Sequence, residues 1–263
     1  MSSTPPAVLS FAASDPTGGA GLQADLLTIA SLGCHPLSVL TALTAQDTSG
    51  VDGLLAFEPE WIGRQARRVL ADIPVAAFKV GVLGSARNAG AVAAILAGHS
   101  RTPMVLDPVL ASGRGDPLSN SETVEALRAA LFPLTTLLTP NSIEARRLAL
   151  AAPDAALADC ARELVKQGCR HVLITGTHEL GADVVNTLYD ARGVMREDRW
   201  PRLPGGFHGS GCTLASAIAA FLAKGFAVPE AARLGQEYTW KTLESGIAPG
   251  RGQRLPDRFF KSR

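Results

Sequence analysis

The chain has 263 residues, 46% of them hydrophobic, and 25 Lys and Arg against 24 Asp and Glu leave a net charge of +1. That length suits one large α/β domain with a sizeable core, and so small a charge argues against nucleic acid or an anionic membrane as the main partner. No apolar run approaches the ~20 residues of a membrane span. Met1–Pro6 is polar, lacks a signal pattern and is expected to be disordered. Cys34, Cys160, Cys169 and Cys212 form no C-x-x-C pair, so neither a zinc knuckle nor a disulfide framework is indicated, and a reducing cytoplasm is the expected setting.

Short β-branched runs alternate with longer amphipathic ones along the chain. Strands are predicted at Ala7–Ala12, Leu37–Thr44, Ala77–Val82, Met104–Leu106, Leu137–Thr139, His171–Thr175 and Val184–Tyr189. Helices are predicted at Ala20–Leu32, Pro59–Ala71, Ala86–Ala97, Ser121–Leu131, Ser142–Leu150, Ala155–Gln167, Gly211–Lys224 and Pro229–Leu243. This alternation implies an α/β fold with a mostly parallel sheet covered by helices on both faces. No shift in composition divides residues 1–263, and the basic, Pro/Gly-interrupted tail at 250–263 reads as a surface strap or a frayed end.

The candidate chemistry lies where strands give way to helices, the edge at which open α/β sheets bind ligands. In the first such loop, Gly19–Ala24 matches the loose dinucleotide pattern G-x-G-x-x-A, the one feature favouring a nicotinamide-dependent oxidoreductase. Ser14–Thr17 intervenes, however, and Pro16 breaks the strand. Asp25 flanks the stripe of Leu22, Leu26 and Ile29 and should face the sheet edge, either for a helix–loop hydrogen bond or for a ligand. Asn141 and Glu144, three apart at a helix start, share a face that suits either a capping box or a hydrated Mg²⁺. The loop Ala111–Asp116 reads as an ordinary surface turn or as a mobile loop over a site. In His208–Leu214 a Gly-Ser-Gly turn opens a helix whose Leu214, Ile218, Phe221 and Leu222 share one face, closed by Gly225 and Pro229. The dull reading is a glycine turn with a core cysteine. The functional one is an anion site with Cys212 at its mouth, where the helix N-terminus should lower the thiol pKa below about 8.5 and make it a base.

Gly209-Ser210-Gly211-Cys212 resembles the Gly-Thr-Gly-Cys signature of the hydroxymethylpyrimidine and phosphomethylpyrimidine kinases, the thiamin branch of the ribokinase superfamily. Ser14–Gly21, Thr44–Thr48, Lys79–Ser85, Asp107–Leu110, Asn141–Glu144 and Ile174–His178 resemble further elements of that family. The departures are Ala13 for Gly, Asp47 for Asn, Val82 for Met and Thr175 for a Lys that lies near the nucleotide phosphates in relatives. The resemblance implies a ribokinase-like three-layer αβα fold and transfer of the γ-phosphate of ATP, with Mg²⁺, to a hydroxymethylpyrimidine and its monophosphate. It places Gly209, Ser210, Gly211 and Cys212 at the catalytic anion hole. It places Ala20, Gly21, Asp25, Gln46, Gly81, Val82 and Val109 around the pyrimidine. There Gln46, which both donates and accepts, suits an aminopyrimidine edge, and Gly81 would let the ligand lie against the strand end. Asp107, Asn141, Thr175 and His178 fall to the nucleotide, and Asp107, Asn141 and Glu144 to the metal. For the missing Lys the alternatives are a substitute cation, Lys79 or Arg114, or weaker binding of ATP, and a homodimer is the expected assembly. The alternatives are a pyridoxine or pyridoxal kinase of the same branch and a pyrimidine-binding module without turnover.

Overall fold

The computed structural model describes residues 4–111, 115–116 and 118–262. Its strands are β1 (Ala7–Ser14), β2 (His35–Gln46), β3 (Val51–Ala56), β4 (Val75–Val80), β5 (Met104–Leu106), β6 (Leu137–Leu138), β7 (Val172–Thr175), β8 (Asp183–Asp190) and β9 (Gly193–Pro201). They form one sheet in the order β3-β2-β1-β4-β5-β6-β7-β8-β9. Neighbours from β2 to β7 run parallel, and antiparallel pairings add β3 at one end and β8 and β9 at the other. The helices are α1 (Gly21–Ser31), α2 (Pro59–Asp72), α3 (Ala86–Leu96), α4 (Ser121–Ala126), α5 (Ser142–Leu148), α6 (Leu157–Lys166), α7 (Ser210–Ala223) and α8 (Val228–Glu244).

Strand alternation sorts the core into two layers. Leu9, Phe11, Phe78 and Leu106 pack with apolar residues of α2 to α6. Val8, Ala77, Val105 and Leu137 face the other way, onto α1, α7 and α8. The result is the three-layer αβα arrangement. Because β1 lies between β2 and β4, successive connections leave it in opposite directions, and a crevice opens at the carboxyl ends of the strands.

The expected strands and helices are all present, with boundaries moved by a few residues. Two strands lack a sequence signal. In β3, Asp52 and Gly53 interrupt the apolar alternation, and the exposed edge strand β9 carries charges instead of an apolar face. The helix expected at Ser121–Leu131 is regular only to Ala126; a π turn over Leu127–Leu131 and a 3-10 turn over Phe132–Leu134 follow, the latter containing Pro133. Helix α7 is buried on nearly all sides from Thr213 to Ala220, where one buried face was expected. Its run of alanines lets the sheet, α1 and α8 close around it. A Cβ on Gly235 of α8 would come 2.5 Å from Ile218.

Neither end of the chain is loose throughout. The Pro6 carbonyl accepts a hydrogen bond from His35 N–H (2.9 Å). The segment after α8 folds back as a strap: Ile247 pairs with Leu255, Phe207 with Arg254, and Leu255, Asp257 and Arg258 are buried.

Candidate active site

A cleft of about 1250 Å³ opens at the carboxyl ends of β1, β4 and β5. Two glycine-rich loops meet on its floor. Helix α1 starts after Ala20 and helix α7 after Gly209, and neither N-terminus is capped by a side chain. The free N–H groups of two helices therefore serve one place, a setting for an anion. Gly209 has φ +81°, and a Cβ there would overlap the Gly19 carbonyl, so only glycine allows the loops to touch. Asp15, fully buried, locks the contact. Its carboxylate accepts from Thr17 N–H (2.8 Å), the Thr17 hydroxyl (2.9 Å) and Ala20 N–H (2.7 Å), and His208 Nε2 lies 2.9 Å away. Burial pushes the Asp15 pKa up, but the bonds from His208, Thr17 and Ala20 outweigh it and hold the carboxyl below its usual value. Ser14–Thr17 is thus a self-bonded turn, and the Gly19–Ala24 run serves the junction with α7.

Beneath this floor lies Lys79 of β4, with no exposed surface. Its ammonium is 2.9 Å from Asp25 and 3.9 Å from Asp107. Asp25 also accepts from the hydroxyls of Ser10 (2.5 Å) and Ser216 (2.7 Å). Three expectations are corrected here. Asp25 does not line the cleft: it is fully buried on the inner flank of α1, where its oxygens are spent on Lys79 and the two serines. Gly81 does not line it either; a Cβ there would sit 2.7 Å from the Lys79 ammonium, so this glycine makes room for the lysine. Lys79 in turn is committed to the carboxylates. Burial lowers its pKa, but Asp25, then Cys212 and Asp107, raise it further, so it stays charged.

Cys212 borders the cleft beside Asp107, and Gly211 lies against the same carboxylate. The expected thiolate is overturned. Loss of hydration pushes the Cys212 pKa up to about 12, and the carboxylates of Asp107 and Asp25 add to this, while Lys79 offsets only part. Cys212 is a neutral thiol at pH 7.

Asn141 and Glu144 form the full capping box of α5: Asn141 N–H donates to Glu144 (2.9 Å), and Glu144 N–H donates to the Asn141 side chain (2.9 Å). Glu144 also accepts from Leu110 N–H (3.2 Å). Part of the Glu144 surface still reaches the cleft, where it faces Asp107. Burial raises Asp107 to about 6, with Lys79 opposing. Burial, then the Asp107 charge, raises Glu144 to about 8. Asp107 Oδ2 is buried without a hydrogen-bond partner. Two mutually repelling carboxylates with an unspent oxygen fit a hard divalent cation that keeps most of its waters.

The remaining expected residues line the cleft: Ala20 and Gly21 at the start of α1, Gln46 at the end of β2, Val82 after β4, Val109 after β5, and Thr175 and His178 at and beyond the end of β7. Arg114, with Ser112 and Gly113 of the same loop, falls outside the described residues. Among those described, the Lys and Arg side chains lining the cleft are Lys79, Arg147 and Arg202. Arg202 spends its guanidinium on the carbonyls of Gly181, Thr177 and Glu179. Arg147, exposed on α5 one turn beyond Glu144, is the cation left available. Beyond it, Trp200 and Trp240 stack with ring centres 6.3 Å apart, and the buried amides of Asn186 and Gln236 bond at 2.9 Å beneath them.

A profile of the phosphomethylpyrimidine kinase family matches residues 15–257. The chain belongs to this family. It is 43% identical over 255 residues to the hydroxymethylpyrimidine/phosphomethylpyrimidine kinase of Streptomyces coelicolor, covering 95% of this chain and 93% of that one. The phosphomethylpyrimidine kinase structure from Clostridium difficile superposes with a TM-score of 0.77 at 32% identity, covering 89% of this chain and 97% of that one. The pyridoxal kinase of Staphylococcus aureus, in complex with AMP-PCP and pyridoxal, superposes with a TM-score of 0.88 at 25% identity, covering 98% and 96%. The fold is therefore ribokinase-like, and the chain is a hydroxymethylpyrimidine/phosphomethylpyrimidine-type kinase.

Residue-by-residue reading of this kinase left Asp15, His208, Arg147 and the two tryptophans without roles. Asp15 and His208 carry a signal, each being a polar residue inside a glycine loop; Arg147 carries none apart from its spacing from Glu144.

Two outcomes follow from these charges. At pH 7.5 iodoacetamide should leave Cys212 of the free enzyme unmodified over a time in which a free cysteine reacts fully, as read by peptide mass spectrometry. Equal rates would mean a thiolate at the helix end. Asp107 and Glu144 have folded pKa values above their unfolded ones, so their contribution to stability is full below about pH 4 and is lost as pH rises through about 6 and then about 8. The metal-free Tm should fall from pH 5.5 to pH 8.5, Glu144→Gln should flatten the fall, and Mg²⁺ should protect most at the higher pH. A slope unchanged by Glu144→Gln would refute the assignment.

Proposed function

We propose that this chain phosphorylates the hydroxymethyl group of 4-amino-5-hydroxymethyl-2-methylpyrimidine from ATP, and then the resulting monophosphate, in thiamin biosynthesis. The observation that carries this is the convergence of two uncapped helix starts on Cys212 and Asp107. That arrangement offers backbone donors to a transferring phosphoryl group and a proton acceptor beside the attacking hydroxyl. The hydroxyl oxygen attacks the γ-phosphorus, the bond to the β–γ bridging oxygen breaks, and ADP leaves. The thiol, neutral at pH 7, passes its own proton to the Asp107 carboxylate as it takes the proton of the hydroxyl.

Asp107, Glu144 and Asn141 would hold Mg²⁺, which supplies charge neutralisation to the phosphates. The stacked Trp200 and Trp240 suit the base of ATP, and Gln46 at the end of β2 suits the amino-substituted ring edge. The family resemblance supports a homodimer, and the four cysteines, all unpaired here, suit a reducing cytoplasm. Among the described residues no helix is long and apolar enough to cross a membrane. The second reading, pyridoxal turnover, is favoured by the superposition on a pyridoxal kinase.

Coupled ADP-release assays with the pyrimidine and with pyridoxal separate the two readings. Wild type should prefer the pyrimidine, and Gln46→Leu should lower its kcat/KM about ten- to a hundredfold, the cost of a lost buried polar partner. Equal turnover of both vitamins, untouched by Gln46→Leu, would reject the preference.

The missing phosphate lysine calls for a second measurement. Among the described residues, with Lys79 buried and Arg202 tied to carbonyls, Arg147 is the cation placed for the phosphate contact. Arg147→Ala should therefore raise the KM for ATP roughly tenfold, within the range of a charge-assisted bond, and Thr175→Lys in that background should restore it. An unchanged KM for ATP in Arg147→Ala would assign the charge elsewhere.

A further inference from the structure

We propose that Arg258, on the strap after α8, is a positioning residue for phosphoryl transfer: it pins the β1–α1 loop to the first turn of α7 and so holds the Gly209–Gly211 anion hole in its working geometry. The inference rests on the reading of that turn as the anion hole.

Arg258 is 5% exposed. Its Nη1 donates to the Gly18 carbonyl (3.1 Å) and its Nη2 to the Gly19 carbonyl (2.6 Å). Its Nε and Nη2 both donate to the Thr213 hydroxyl, at 3.2 and 3.0 Å. That hydroxyl donates onward to the carbonyl of Gly209, the N-cap of α7 (2.8 Å). One planar fork thus grips the carbonyls of one glycine loop and, through Thr213, the first residue of the other. These are the two loops whose backbones touch at Gly19 and Gly209. The Asp15–His208 contact fastens the junction on the side that lines the cleft, and Arg258 fastens it from behind.

The acceptors of the guanidinium among the described residues are neutral oxygens. A buried cation without a bonded carboxylate is costly as a mere structural rivet, and an arginine cannot shed its charge. Burial does lower its pKa, and the cation lies within electrostatic reach of Cys212, Asp25 and Asp15. Its positive charge behind the anion hole works in the direction that favours an incoming phosphoryl group.

The strap that delivers Arg258 is itself anchored at several points. The Arg258 carbonyl accepts from the Tyr238 hydroxyl (2.9 Å), and Asp257 N–H donates to the Thr242 carbonyl (2.9 Å). Upstream, Gln253 N–H donates to the Thr48 carbonyl (2.8 Å) at the β2–β3 turn, and His208 N–H donates to the Arg254 carbonyl (2.9 Å).

The test uses Arg258→Lys and Arg258→Gln in the full chain, with Thr213→Val as the partner variant. Wild-type turnover of the pyrimidine is measured alongside; its absence would fail the kinase reading itself, separately from the role of Arg258. With wild type active and the variants folded by circular dichroism, kcat should fall about ten- to a hundredfold, the scale of a small misplacement of reacting groups. The KM values for ATP and the pyrimidine should stay nearly unchanged. Lysine keeps the charge and loses the fork, so it should recover part of the loss seen with glutamine. Arg258→Lys combined with Thr213→Val should cost no more than the worse single variant, because both act on one contact. The proposal is overturned if folded Arg258→Lys or Arg258→Gln turns over at the wild-type rate, if the whole loss is in KM, or if the Thr213 and Arg258 effects simply add. Should both Arg258 variants fail to fold, Thr213→Val alone decides, through an intact or reduced kcat.

Discussion

Burying the Lys79 ammonium strips it of water at a cost of several kcal/mol, and the surrounding elements are arranged to offset it. Asp25 reaches it from α1 and Asp107 from the end of β5, while Ser10 of β1 and Ser216 of α7 hold the Asp25 oxygens in place. Five elements from distant parts of the chain are thereby bound to one charge directly below the cleft. Removing one partner from such a pair leaves the other ion uncompensated, typically at about 3–5 kcal/mol. The ion pair also sets the electrostatics above it. Lys79 keeps Asp107 ionisable near neutrality, and burial keeps Cys212 protonated, with Lys79 opposing and the carboxylates of Asp107 and Asp25 adding to it. The character of the thiol is therefore decided by its burial, which the helix end it sits on does not overcome.

Above that charge, the floor of the cleft depends on an absence of side chains. Gly19 and Gly209 let two backbones touch, and Gly21, with φ +56°, lets α1 begin immediately after the turn. Two helix starts left without side-chain caps are then available to a ligand instead of to the protein. Asp15 and Arg258 hold the loops from opposite sides, Asp15 through the amides of Thr17 and Ala20 and Arg258 through the carbonyls of Gly18 and Gly19.

Much of this was legible in the sequence because it is local. A glycine run opening a helix, an Asn with a Glu three residues later, and an Asp ending a short apolar strand are patterns of a few residues, and Gly209–Cys212, Asn141, Glu144 and Asp107 all lie on the cleft as such patterns suggest. What escaped depends on partners far apart in the chain. Asp25 looks like a ligand contact until Lys79, 54 residues away, is seen to claim it. Gly81 looks like space for a substrate until the same ammonium is found filling it. Cys212 follows the rule for helix ends only if burial is ignored. Strands β3 and β9 were missed for a different reason: each lies at an edge of the sheet, where no buried face imposes an apolar alternation.

The strap also separates the making of the fold from the making of the site. It follows every strand and helix in chain order, and Arg258 closes onto Gly18 across 240 residues. During synthesis the layered core can assemble from the segments already made, with closure over so long a loop coming later at an entropic cost that grows only slowly with length. A nascent chain at that stage is compact, carries both glycine loops and lacks the fork that joins them. The working alignment of the anion hole would arrive only when the strap docks, so a ribosome-bound intermediate would be folded before it could transfer phosphate at its full rate.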